Sequence, residues 1–169
     1  MGLTKEAILK WSLFYTKHEL MIVPTIQEIL VKNILKLREE INAFKSEEKL
    51  WYKENNIANP AGNLCLHLVG NLNTYIGVAL GTSKYIRNRE LEFSQTGLSK
   101  NELLDKIDST IEVVKTTLQE FPDSKLEEVF PMKVFDKETT TGYMLIHLAS
   151  HLTYHLGQIN YHRRLLDTN

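Results

Sequence analysis

The chain has 169 residues and a mass of 19.6 kDa, with 20 Lys and Arg against 21 Asp and Glu and a net charge of −1 at pH 7, a balance that supplies no basic field for nucleic acid or an anionic membrane. Its one cysteine, Cys65, excludes an internal disulfide framework and fits a reducing compartment. No apolar run has the length to span a bilayer, and the start MGLTKEAILK lacks the pattern of a secretory signal, so a cytoplasmic protein without membrane or nucleic-acid partners is expected.

The length suits one domain, 1–169, with a substantial core. Met1-Gly2 does not read as a myristoylation site, because Glu6 occupies its hydroxyl position. His18 has no partner spacing and is expected on the surface. Ile26, Leu30, Ile34, Leu37, Ile41 and Phe44 form one apolar stripe of a first helix that runs into polar INAFKSEEK. Pro24 sits either at its first turn or at a kink in a longer helix beginning near Thr4.

NNIANPAGN is turn chemistry, and after Pro60 the residues Leu64, Leu68, Leu72, Ile76 and Leu80 recur at helical spacing until Gly81. His67 lies in this second helix, with Asn63 and Asn71 one turn to either side. The connection KYIRNRELEFSQTG follows, and its Arg87, Arg89 and Glu92 read as a solvated, ion-paired loop rather than, as the alternative, a cluster in contact with substrate. Ser99 and Glu102 make a capping box ahead of a third helix carrying Leu103, Leu104, Ile107, Ile111, Val114 and Leu118, which ends at Phe121-Pro122. PDSKLEEVFPMKVFDKE leads to a final helix beginning near Thr139, Thr140 and Thr141. Both connections are long for a simple up-and-down bundle, which predicts a crossover topology or loops that shape a pocket.

The final helix holds four of the six histidines. At about 100° per residue, His147, His151, His155, Gln158 and His162 fall within roughly 40° of one line, flanked by Leu148, Leu152 and Ile159, so an interior histidine line is expected. Buried imidazoles need partners for both nitrogens, and a divalent cation supplies one while leaving the other N–H for an acceptor behind it. His151 and His155, one turn apart, can converge on one ion, and His67 is the best third ligand because it lies in an apolar helix.

His147 lies one turn too far to join the pair and is either an outer partner or an ordinary interior residue. Gln158, Asn63 and Asn71 are candidates for orienting ligands or substrate, against plain helix-surface or capping chemistry. His162 is expected half-exposed near the helix end, where a cation complements the helix dipole. Cys65 and His67 are about 200° apart around a helix, so Cys65 is expected to be a packed thiol. A di-iron centre fails because no histidine has a Glu three residues before it, and a zincin fails because Leu20, Met21 and Ile22 follow His18-Glu19.

At these residues the chain resembles the DinB superfamily, on His67 within NPAGNLCLHLVGNLNTYI and on HLTYHLGQI, where His-x-x-x-His is followed by x-Gly-Gln. GNLCLHLVGN and IRNRELEF resemble the branch known as DUF1572. The resemblance implies an all-α four-helix bundle, up-down-down-up with a long crossover, frequently a homodimer. It implies binding of Zn, Ni or a similar divalent ion through His67, His151 and His155. Some relatives are thiol S-transferases using bacillithiol, mycothiol or glutathione, and others resemble maleylpyruvate isomerases. The Arg common after the last ligand is Leu156 here, and no residue pattern identifies a thiol cofactor site.

Three neutral ligands leave a cation strongly Lewis acidic, able to activate water or a thiol. The expected function is a metal-dependent transferase or hydrolase acting on an electrophilic small-molecule substrate, with a low-molecular-weight thiol as candidate cofactor. The alternatives are a non-catalytic metal- or ligand-binding dimeric bundle and a metal-free helical scaffold.

Overall fold

The computed structural model describes residues 21–168. The expectations for Met1-Gly2, for a helix start near Thr4 and for His18 lie outside the described residues. Helix α1 spans Ile22–Asn42, α2 Glu47–Trp51 and α3 Ala61–Leu72, the last continued by a π-helical stretch, Asn73–Val78. Then come α4 (Arg89–Ser94), α5 (Lys100–Gln119) and α6 (Thr141–Leu166). No described helix is long and apolar enough to cross a membrane.

The stripe Ile26, Leu30, Ile34, Leu37, Ile41 and Phe44 is buried throughout, as the periodicity predicts. Of the two readings of Pro24, the structure takes the first turn, where a missing N–H removes no intrahelical bond. The Asp123 carboxylate, arriving from the far side of the chain, accepts from the Ile22 and Val23 N–H groups at 2.8 and 2.9 Å. The polar continuation of α1 is not helical beyond Asn42. Phe44 turns into the core and α2, absent from the periodicity, follows to bury Leu50. The capping box of α5 is present, and Thr140 caps α6 by accepting from the Tyr143 N–H.

Contacts between the helices establish their directions. Asn33, Glu40 and the 45–46 backbone meet Thr153, Asn160 with Arg163, and Asp167 in turn, so α1 and α6 run parallel. Lys100 at the start of α5 reaches the Asn42 and Phe44 carbonyls at the end of α1, so these two are antiparallel. Asn73, Gly77 and Gly81 approach Thr110, Val113 and Thr117, which makes α3 parallel to α5. Since α1 packs on α5 and α6, and α3 packs on the same two, the result is an up-down-down-up bundle. The parallel step from α3 to α5 requires the crossover 79–99, and α4 lies in it.

One buried ion pair ties α1 to α6. Glu40 is 6 % exposed and accepts from Arg163 Nε and Asn160 Nδ2, each at 2.7 Å. Burial opposes its charge, but the two hydrogen bonds outweigh it and hold the carboxyl below the usual carboxylate range. A depressed folded-state value contributes stability above the unfolded value, about 4.3, and loses it as pH falls through the folded one. Glu40→Gln is therefore expected to cost about 2 kcal/mol near pH 7. In urea unfolding, that cost should shrink toward zero between pH 5 and pH 3.

Candidate metal centre

Helix α3 is buried on all sides, and within it His67 is 6 % exposed. Because α3 and α6 run antiparallel and pack directly, His67 faces His151, and His155 stands one turn further along α6. His67 Nε2 lies 3.3 Å from His151 Nε2, which lies 3.2 Å from His155 Nε2. One nitrogen from each of the three rings falls within 4.8 Å of the other two. The sequence reading of these three as one cluster matches this geometry. His151 and His155 are half-buried, so the histidine line borders the bundle surface rather than its interior, and Gln158 is exposed.

Proton placement tests whether a cation fits. His67 Nδ1 lies 2.9 Å from Glu92 Oε2 and must donate to that carboxylate, which leaves Nε2 of the neutral ring as a bare lone pair. His155 Nδ1 lies 2.6 Å from Gln158 Oε1 and in this amide orientation donates to it, so its Nε2 is bare as well. Two lone pairs thus aim at His151 Nε2, which can carry one proton at most, and a cation removes this conflict. In tetrahedral coordination at about 2.0–2.1 Å, ligand nitrogens stand about 3.3–3.4 Å apart, close to the two separations that His151 Nε2 makes. The three residues could hold a divalent ion, and burial together with the neighbouring imidazoles pushes His151 down to about 4, so its ring is neutral at pH 7. Burial lowers His155 too.

Behind His67 lies the largest departure from the sequence expectation. Arg87 and Glu92 are not a solvated loop pair. Glu92 is 5 % exposed and takes Arg87 Nε at 2.6 Å and a second guanidinium nitrogen at 2.8 Å, a bidentate pair set against His67. Burial raises the Glu92 pKa, but the hydrogen bonds from Arg87 and His67 prevail and hold it below the usual range. Arg89 alone is solvated as expected, and its guanidinium lies over the Phe93 ring.

Gly70 makes the approach of Glu92 sterically feasible, since a Cβ there would lie 2.1 Å from Glu92 Oε1. Asn63 pins the same segment by donating to the Glu92 and Gln95 carbonyls at 2.9 and 2.8 Å, so it holds α4 rather than a ligand ring. Phe93, from α4, packs on His67 with ring centroids 4.9 Å apart.

The remaining candidates separate. His147 stays outside the cluster, its ring 5.8 Å from that of His151 and edge-on to Phe135 at 5.0 Å. Gln158 is exposed, and its Oε1 lies 2.6 Å from His155 Nδ1. Asn71 is buried, and its Oδ1 has no partner among the described residues. His162 corrects the reading of a half-exposed cation: it is 7 % exposed, and burial lowers its pKa, which favours the neutral ring. Cys65 is packed as expected, its thiol pushed up to about 12 by burial.

Comparison with known proteins places this architecture. A family model described as "Protein of unknown function (DUF1572)" matches residues 25–169. The crystal structure of a conserved protein from Enterococcus faecalis is similar to the chain, with a TM-score of 0.66 at 16% sequence identity over 85% of this chain and 95% of that one. At that identity the likeness shows the fold alone. No curated protein matches the chain.

Proposed function

The chain belongs to the DUF1572 family, a DinB-like family, and we propose that it is a metal-dependent enzyme that activates a small thiol or water for transfer to, or hydrolysis of, an electrophilic small molecule. The observation that carries this reading is the convergence of three imidazole nitrogens, two with their proton placement imposed from behind. His67, His151 and His155 would hold the ion, with Zn and Ni as the leading candidates on the chemistry of an all-nitrogen set. A divalent cation on three neutral ligands supplies Lewis acidity that lowers the pKa of a water or thiol at its open position.

The chain's own residues prepare that position. Glu92 and Gln158 keep the Nδ1 protons of His67 and His155, so the lone pairs stay directed at the centre. Arg87 cancels the Glu92 charge, so the pair leaves a cation's charge uncompensated and favours an anionic ligand such as a thiolate. Phe93 screens one side of His67, while Tyr154 stands exposed beside His155 and offers an aromatic surface to an incoming molecule.

The expected result is turnover of an electrophile with a low-molecular-weight thiol, or of an activated ester with water, lost on chelation and restored by Zn2+ or Ni2+. Protein that binds one ion tightly yet turns over nothing across such a panel would favour a second reading, a non-catalytic metal- or ligand-binding homodimer. A specific surface supports that alternative. Tyr143, Tyr154, Tyr161 and Leu165 of α6 are each more than half exposed and lie within roughly 40° of one line along the helix, a strip suited to a second copy of the chain.

A further inference from the structure

Among the described residues, three buried side-chain polar atoms lack a hydrogen-bond partner: Asn71 Oδ1, His151 Nδ1 and His162 Nδ1. One of them, His151 Nδ1, belongs to the histidine cluster, and another, Asn71 Oδ1, lies one turn from His67 on α3. His67 and His155 each have an acceptor behind Nδ1, supplied by Glu92 and Gln158; His151 is the one ring of the cluster without one. A neutral imidazole whose Nε2 faces a cation carries its proton on Nδ1, so His151 Nδ1 is a donor, while a carboxamide oxygen is an acceptor. The two unpartnered atoms are therefore chemically complementary.

Their placement agrees. Asn71 is one turn after His67 on α3, so both side chains leave the same face of the helix. Since α3 and α6 are antiparallel with His67 opposite His151, the step to residue 71 leads toward the α6 turn between His147 and His151. It leads away from His162, two turns beyond His155 in the other direction, so Asn71 is positioned to serve His151 and not the third orphan. Buried polar atoms are seldom left unpaired, and outer acceptors on metal-bound histidines recur for the same reason: they hold the tautomer and the ring plane.

We infer that Asn71 is a positioning residue whose Oδ1 accepts the His151 Nδ1 proton when the centre holds a divalent ion, giving each of the three ligands its own acceptor: Glu92, Asn71 and Gln158. The inference rests on the reading of the histidine cluster as a metal site. It assigns no contact between Asn71 and substrate. The pairing draws α3 and α6 together at the turn beside the ion, and it keeps the His151 lone pair on the centre where α3 would otherwise supply only His67.

Zn2+ affinity, measured by chelator competition, and the visible absorption of the Co2+-loaded protein test this in the full chain. Asn71→Ala is expected to weaken Zn2+ binding roughly 10- to 100-fold and to alter the Co2+ spectrum. Asn71→Asp keeps an oxygen acceptor at the same reach and is expected to restore both to near the wild-type values. Unchanged affinity and spectrum in Asn71→Ala, or equal losses in the Ala and Asp variants with both still folded by circular dichroism, would overturn the assignment. Wild-type protein that binds neither ion would instead remove the metal reading beneath it, so the two failures are separable.

Discussion

Replacing His151 by alanine is expected to abolish stoichiometric binding of Zn2+ or Ni2+, the largest single effect available in this protein. His151 Nε2 is the shared vertex of the cluster, 3.3 Å from the His67 nitrogen and 3.2 Å from that of His155, so its loss leaves two donors with no close link between them. The effect on stability should depend on whether metal is present. A ligand that binds only the folded state at one hundred times its dissociation constant adds about 2.7 kcal/mol, and this increment should vanish in His151→Ala. Without metal, the substitution also removes the crowding of lone pairs, so the apo variant should melt close to the apo wild type. Elemental analysis of untagged protein and melting curves with and without Zn2+ check both statements, with His162→Ala as a control that keeps its ion. A His151→Ala protein that retains about one ion per chain at undiminished affinity would refute the three-histidine centre.

Loss of Arg87 should be the most damaging change outside the histidine cluster. Arg87→Met leaves the Glu92 carboxylate 5 % exposed with its bidentate partner gone, a situation that costs about 3–5 kcal/mol. Because Arg87 helps hold the Glu92 pKa down, the penalty should be largest above pH 5 and should shrink in acid, where protonation relieves the stranded charge. Combining Arg87→Met with Glu92→Gln should recover a large part of the loss, since the double variant buries no charge. Urea unfolding of the metal-free single and double variants at pH 7 and pH 4 gives the cycle. A double variant no more stable than Arg87→Met would show that the pair acts through packing instead.

The two predictions fall on opposite sides of what could be read from the chain. The His151-x-x-x-His155 pair is local: helical geometry alone stacks the rings, so its convergence follows from spacing. The four long helices were legible for a similar reason, their apolar residues recurring at 3.6-residue spacing and their ends marked by Pro60, the Ser99 capping box and the Thr140 cap. Gln158 behind His155 is again one turn away on the same helix. His67 was harder, because it needed a second helix brought alongside, and apart from the family resemblance the one hint was a single histidine in an apolar helix.

Glu92 left no comparable trace. It lies 25 residues from His67, on a six-residue helix too short to show a phase, in a crossover whose charges suggested solvent. Its signals exist only in space: a glycine at position 70 that leaves room for a carboxylate, and Asn63 clamping the carbonyls of the crossover. The fate of His162 was hidden likewise, since its position near the end of α6 suggests exposure and only packing shows that it is buried.

By itself, then, the amino-acid order determined the helices, the core stripes, the balanced charge and the local histidine pair, because each depends on neighbours within one or two turns. Tertiary structure alone decided that the crossover docks against α3 and that a buried Arg87–Glu92 pair backs the third histidine. Those contacts depend on desolvation and on distances between segments far apart along the backbone, and neither quantity is written in spacing.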